Sequence, residues 1–241
     1  YHSIDNKLSL KKTDSESKEY SSLLSQNINN YCLVNFNDED ILFTPLESNN
    51  DLVIKQINKY KNVFFNDYVL NLNSILMNSG FNLTLKEKSV LNLNFMHQTN
   101  KDNITVYEKN YFNIKKDAKI VLIEKFSNEK LSNSNIVNYF ELEEGSEVLH
   151  LVIQNNSFES SLQYSSYAKC RKNSNFHQFI FNCNLNSGRN HSYIDLIGDH
   201  SEAKLHGVFF GTNNQIIDNK TVINHNSPSC HSNQTYKGIL S

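Results

Sequence analysis

The sequence predicts an all-β fold, a right-handed parallel β-helix (solenoid) with a small N-terminal α/β cap region, on three observations. One short pattern recurs five times between Lys86 and Ser201, the strands around it alternate apolar and polar residues, and no helical stretch interrupts them. The pattern is a four-residue polar turn closing on Ser or Ala: Lys86-Glu87-Lys88-Ser89, Lys115-Lys116-Asp117-Ala118, Glu143-Glu144-Gly145-Ser146, Arg171-Lys172-Asn173-Ser174 and Gly198-Asp199-His200-Ser201. Their first residues lie 29, 28, 28 and 27 apart. A repeat of strand, turn and strand at this length marks a quasi-one-dimensional stack whose units cannot bury their apolar faces alone.

The segments flanking each turn read as strands. After the turns, Val90, Leu91 and Leu93, then Ile120 and Leu122, Val148, Leu149 and Leu151, Phe176, Phe179 and Phe181, and Ala203 and Leu205 follow the spacing of a strand with one face inward. Before them lie Leu83-Thr84-Leu85, Tyr111-Phe112-Asn113-Ile114, Val137-Asn138-Tyr139-Phe140, Tyr164-Ser165-Ser166-Tyr167 and Tyr193-Ile194-Asp195-Leu196, all rich in strand formers. An open sandwich also gives regular strands, but it has no reason to hold one turn type at constant spacing.

The first eighty residues are organised differently, which divides the chain into a cap region, 1–80, and a β-helix core, 81–241. Asp14 to Lys18 is polar and reads as an exposed loop. Tyr31 to Phe36 and Ile41 to Phe43 are expected to pair as a hairpin across the turn-rich residues Asn37 to Asp40. From Asp67 to Asn78 the apolar residues Tyr68, Val69, Leu72, Ile75 and Leu76 recur at helical spacing, with Asp67 as N-cap and Gly80 as stop. A helix there suits a cap over the open end of a strand stack, whose unpaired edge invites aggregation.

Composition narrows the function. At 241 residues and 38% hydrophobic content the chain can form one sizeable domain. A net charge of -2 without a basic run gives no field for nucleic acid or an anionic membrane. No apolar run approaches the ~20 residues that cross a bilayer. The first residues do not form a signal peptide, and without an initiator Met the chain reads as a trimmed fragment. Asparagine makes up about one residue in six, which fits an AT-rich coding sequence, so the Asn-X-Ser/Thr triplets carry no weight as glycosylation sites. Cys32, Cys170, Cys183 and Cys230 are far apart and form no C-x-x-C pair, which points to a reducing, cytoplasmic setting. Cys32 and Cys183 sit in strand runs and read as small buried hydrophobes.

The sharpest local signal is near the C-terminus, where His225-Asn226-Ser227-Pro228-Ser229-Cys230-His231 leads into Gln234-Thr235-Tyr236-Lys237-Gly238-Ile239-Leu240. This stretch resembles the SufD family, the β-helical subunit of the SufBCD iron-sulfur cluster assembly scaffold. Leu205-His206-Gly207-Val208-Phe209-Phe210 and Gln215-Ile216-Ile217-Asp218-Asn219-Lys220-Thr221 are similar to the family's leucine-x-glycine strand and D-N-x-T stretch. Ala118 to Phe126 and, more weakly, Tyr1 to Ile4 extend the likeness back along the chain. The paralogue SufB shares the β-helix; the Tyr-Lys-Gly-Ile-Leu ending favours SufD.

The resemblance implies a non-enzymatic scaffold that pairs with SufB through the β-helices, near Thr235 to Leu240. It implies that the SufC ATPase docks on a C-terminal helical segment beyond Ser241, together with the family's cysteine-histidine motif. No cofactor is then expected in this fragment, with an iron-sulfur cluster held transiently in the full complex, and an unpartnered edge could join a second copy as a homodimer. The family setting is cytoplasm, or plastid stroma in a eukaryote. The residues agree that hydrolysis belongs to a partner, since there is no G-x-x-x-x-G-K-[ST], and no G-x-S-x-G or H-E-x-x-H appears either. His225, Cys230 and His231 are the one place where imidazole and thiol cluster in sequence, and they are the candidate metal ligands, with turn-forming roles as the alternative. His150, His177 and His206 fit either a stacked imidazole column or separate polar side chains. A different class, a solenoid that binds or cleaves polysaccharide, needs paired carboxylates on one strand face, and the acidic residues here fall mainly in turns.

Overall fold

A computed structural model of the chain describes residues 9–12, 18–23, 28–35, 40–46, 67–77, 79–99, 103–127, 131–156, 159–183, 185–212 and 214–240. In chain order the elements are β1 (Ser9–Lys12), β2 (Lys18–Leu23), β3 (Ile28–Asn35), β4 (Ile41–Pro45), helix α1 (Tyr68–Leu76), β5 (Ser79–Leu85), β6 (Val90–Thr99), β7 (Ile104–Ile114) and β8 (Lys119–Phe126). There follow β9 (Ser132–Leu142), β10 (Glu147–Asn155), β11 (Ser161–Cys170), β12 (Asn175–Cys183), β13 (Ser187–Leu196), β14 (Glu202–Gly211), β15 (Ile216–His225) and β16 (His231–Leu240). From β5 onward they form a right-handed β-solenoid. One sheet runs β6-β8-β10-β12-β14-β16 and the other β15-β13-β11-β9-β7-β5, all parallel within each sheet.

The turns stack in one column, and their chemistry explains the repeat. In each, the third residue takes a left-handed backbone: Lys88, Asp117, Gly145, Asn173 and His200 have φ between 56° and 69°. The fourth residue donates its N–H to the first residue's carbonyl, as Ser146 does to Glu143 at 3.2 Å. The left-handed residue then aims its own N–H at the neighbouring rung: Lys88 donates to Lys116 O, Asp117 to Glu144 O and Asn173 to Asp199 O, each at 3.0 Å. The closing serine caps the turn, with Ser146, Ser174 and Ser201 Oγ donating to the first carbonyl at 2.6–2.7 Å. A short polar sequence thus satisfies the backbone groups that a sharp bend exposes.

A sixth turn continues the column. Ser227-Pro228-Ser229-Cys230 starts 29 residues after Gly198, and Ser229 is left-handed at φ 56°. His200 N donates to Pro228 O, which locks this turn onto the one below.

Two apolar layers fill the solenoid. Beside the turns lie Leu85, Leu91, Phe112, Ile114, Phe140 and their neighbours, with Phe112 and Phe140 stacked at 4.7 Å. The far layer gathers Val106, Phe126, Ile136, Val152 and Leu162. Between them runs a polar strip.

The N-terminal elements differ from the sequence expectation in three ways. Residues 31–36 and 41–43 do not form a hairpin: β3 pairs antiparallel with β2 and β6 in one sheet, and β4 antiparallel with β5 in the other. Each prefers an existing strand edge to the other. Helix α1 starts where expected, with Asp67 Oδ1 accepting from Val69 N at 3.1 Å, but it ends at Leu76 and Gly80 lies inside β5. Its orientation is the third difference. Val69, Leu70 and Asn73 face β7 and β9, while Tyr68, Leu72, Ile75 and Leu76 are exposed. A polar clamp chose this face: Asn73 Nδ2 donates to Glu108 O and Asn135 O, and Asn135 Nδ2 donates to Val69 O. The Asp14 to Lys18 loop, apart from Lys18 in β2, and the Tyr1 to Ile4 resemblance lie outside the described residues.

Candidate functional site

Inward positions of a period-2 strand should be apolar, yet in the solenoid's middle layer several carry charge. His97 closes the inner row of β6, Glu108 and Asn110 lie on β7, Glu124 on β8, Asn138 on β9, His150 on β10 and Tyr164 on β11; all are buried. Glu124 is the hub. One carboxylate oxygen accepts from His150 Nε2 at 2.7 Å, Asn138 Nδ2 at 2.8 Å and Tyr164 Oη at 2.5 Å, and the other meets His97 Nε2 at 3.2 Å. The opposite nitrogen of His97 reaches Glu108 at 3.4 Å, and Asn110 Nδ2 donates to Glu108 at 2.7 Å. Past His150, Nδ1 meets Gln178 Nε2 at 3.2 Å, and Gln178 Oε1 accepts from Ser166 and Ser192.

Burial disfavours charge on each group, and partners decide the outcome. Burial alone would lower the His97 pKa, but the Glu108 charge and hydrogen bonds to Glu108 and Glu124 raise it to about 9. Burial alone would raise Glu124, but hydrogen bonds and charge from His150 and His97 hold it well below the ordinary carboxylate range. Burial and the Glu124 charge push the Tyr164 hydroxyl far up, so it stays a donor. The strip therefore holds an imidazolium between two carboxylates. Apart from Asn110 Oδ1, which is buried without a partner among the described residues, the polar atoms around Glu124 are committed to one another, which suits a rigid internal tie across rungs rather than a site that receives substrate.

The expected ligand cluster sits at the other end of the molecule. Cys230 closes the sixth turn above Ser201, with Sγ 3.4 Å from Ser201 Oγ and 3.4 Å from Gly198 O. His225 ends β15, and its Nε2 meets Ser232 Oγ at 2.9 Å. His231 opens β16 in register with Glu202 and is exposed. Because side chains alternate along a strand, His231 points to the face opposite Ser232, and so away from the side on which His225 bonds. The structure thus brings His225 to Ser232 and Cys230 to Ser201, and does not gather the three. Among the described residues no group of three His, Cys, Asp or Glu side chains has the arrangement to hold a metal ion. Nor do His150, His177 and His206 form a column, since His150 is interior while His177 pairs in register with Leu149 and Lys204 on the outer face.

The interior hub was missed in the sequence. Its signal was present in Ile120-x-Leu122-x-Glu124-x-Phe126, a carboxylate on the buried phase of an otherwise regular strand.

The stacked parallel rungs narrow the fold, and comparison with protein families decides the kinship. Residues 95–241 match the family described as SUF system FeS cluster assembly, SufBD core domain. The chain belongs to the SufBD core-domain family. The match runs from within β6 to the end of β16, so it takes in the turn column from Lys115 onward, the interior strip from His97 onward and the terminal rung. It assigns the chain to iron-sulfur cluster assembly by the SUF system, in a family whose description embraces both SufB and SufD. No curated protein matches the chain. No helix among the described residues is long and apolar enough to cross a membrane.

Proposed function

We propose that this SufBD-family chain is a SufD-like, non-catalytic scaffold subunit that pairs with SufB through the terminal edge of its solenoid and serves a cytoplasmic or stromal machinery powered by the SufC ATPase. The observation that carries this reading is the edge itself. Among the described residues β15 and β16 are the last strands of their sheets, and both are largely exposed, in contrast to the buried alternation of the rungs below. An uncovered strand edge of a regular parallel sheet is a template for another chain. The SufD-like Tyr236-Lys237-Gly238-Ile239-Leu240 lies on β16, where Phe209 packs over Gly238 and Tyr236 packs over Gly207, so the edge is held straight by aromatic-on-glycine contacts across rungs.

The register says which backbone groups are free. His231 N donates inward to Ser201 O at 3.0 Å, and alternation then points the N–H groups of Ser232, Gln234, Tyr236 and Gly238 away from β14. Gln234→Pro removes one outward donor and leaves the inward ladder intact. We expect it to weaken association with SufB at least tenfold, read by size-exclusion chromatography with light scattering and by titration, while the melting temperature stays close to the parent's. Without SufB the same edge is expected to self-associate. A chain that remains a strict monomer and ignores SufB would overturn the reading.

A further inference from the structure

The outer face of the even-numbered sheet carries an apolar stripe that nothing in the described structure covers. Helix α1 packs on β7 and β9, on the other sheet. On β8 the stripe begins at Val121 and Ile123; Ile123 pairs with Leu151 on β10, and Leu151 with Phe179 on β12. It then shifts along the strands. Phe181 follows on β12, its ring 5.7 Å from that of Phe210 on β14, and Phe210 pairs with Ile239 on β16. Leu149 is 50% exposed, Phe179 36%, Phe210 37% and Ile239 59%, large values for apolar side chains that follow one another along a single face.

The shape of the stripe selects its occupant. Four inter-strand steps and a drift of four to six residues make it about 25 Å long, oblique to the strands. It is only two or three side chains wide. An added strand would follow the rungs rather than cross them. A second copy of this face would need more surface: the exposed apolar area is on the order of 400 Å², enough to be a functional patch but about half of what each partner brings to a stable dimer. One helix of about 16 residues spans the same length. Charge adds the flanks. The carboxylates of this face, Glu147 and Glu202, are tied to Lys119 at 2.9 Å and Lys204 at 2.7 Å. Lys125 borders the stripe on one side and Lys237 on the other, and neither has a carboxylate partner among the described residues.

We infer that this face is a docking site for one amphipathic helix of a partner protein, with an apolar stripe of about four turns flanked by Asp or Glu. The helix lies obliquely over β8 to β16, its apolar side on Leu149, Leu151, Phe179 and Phe210, its acidic flanks against Lys125 and Lys237. The inference rests on side chains of the sheet face, whereas edge pairing uses the backbone of β15 and β16, so the two stand or fall separately.

The test uses the 241-residue chain and a stapled 16-residue helical peptide with leucines on one face and glutamates on both flanks, followed by fluorescence anisotropy and amide hydrogen exchange. Saturable binding is expected, with protection on β10 and β12. The double variant Leu149→Gln, Phe179→Gln should weaken it at least tenfold with the melting temperature retained, because both side chains point outward. A peptide with lysine flanks should bind at least fivefold more weakly. No saturation up to millimolar peptide, indifference to the double variant, or a dimer of the chain that this variant dissolves would overturn the assignment.

Discussion

Replacing Glu124 with Gln isolates the electrostatics of the solenoid interior, because the side chain keeps its shape and loses its charge. The carboxylate accepts four hydrogen bonds, and an amide presents one oxygen and two donors in the same place. At least one donor then faces another, and His97 loses one of its two counter-charges. The rise of His97 from 6.5 to about 9 corresponds to about 3 kcal/mol, and removing one partner of a buried pair costs about 3–5 kcal/mol. The lower end applies, since Glu108 remains beside His97 at 3.4 Å. For a chain of this size that is a drop of about 6–12 °C in melting temperature. The pH dependence has a definite sign. His97 is raised, so its contribution is full below 6.5 and is lost as pH climbs through about 9; Glu124 is lowered from 4.5, so its contribution is present above that value and is lost in acid. Melting temperature should therefore be highest between these limits and fall toward pH 9, with a shallower alkaline fall in the variant. Nitrogen-15 spectra of the imidazole should show both His97 nitrogens protonated at pH 7. A wild-type His97 that titrates near 6.5, or a variant within about 2 °C of the parent, would refute the coupling.

Three further outcomes follow from the turn column and the sequence. Gly198→Ala places a Cβ 2.0 Å from Lys172 N in the turn below, so we expect a loss of about 1–3 kcal/mol in urea unfolding. Cys230→Ser restores the residue that closes four of the other turns, and its stability should stay within about 0.5 kcal/mol of the parent; loss of bound ferrous iron in this variant, measured anaerobically against the parent, would instead give Cys230 a ligand role. Calorimetric titration with ATP-Mg should show no saturable heat, because the sequence carries no phosphate-cradling glycine loop.

The solenoid was legible because its turns are governed by local rules. A left-handed third position and a capping fourth position restrict sequence wherever they recur, and the spacing between them fixes the rung length. The sixth turn escaped for the same reason in reverse. Cys230 takes the place of Ser, and Pro228 supplies the carbonyl that accepts from His200, so the geometry persists while the residue types change. Helix α1 shows the limit of periodicity. Tyr68, Leu72, Ile75 and Leu76 mark a helix in sequence, but the face that docks was set by Asn73, whose amide found two backbone carbonyls on neighbouring rungs. Long-range polar contacts of that kind leave no periodic trace. The expected hairpin failed similarly, because two adjacent strand segments each had a better edge available 36 to 71 residues away.

The same contrast separates the two candidate sites. His225, Cys230 and His231 attracted notice because they are neighbours in sequence, yet a strand alternates faces and a turn reverses direction, so closeness along the chain works against convergence. His97, Glu108, Glu124 and His150 are spread over 54 residues and converge because β6 and β10 each pair directly with β8 and β7 lies in the facing sheet, with inner faces turned to one axis. In a solenoid, residues separated by about one repeat are the ones that meet. A charged residue on the buried phase of a strand, with another one repeat away, is therefore the pattern that marks an interior site in this fold, and Glu124 with His97 and His150, 27 and 26 residues distant, fits it.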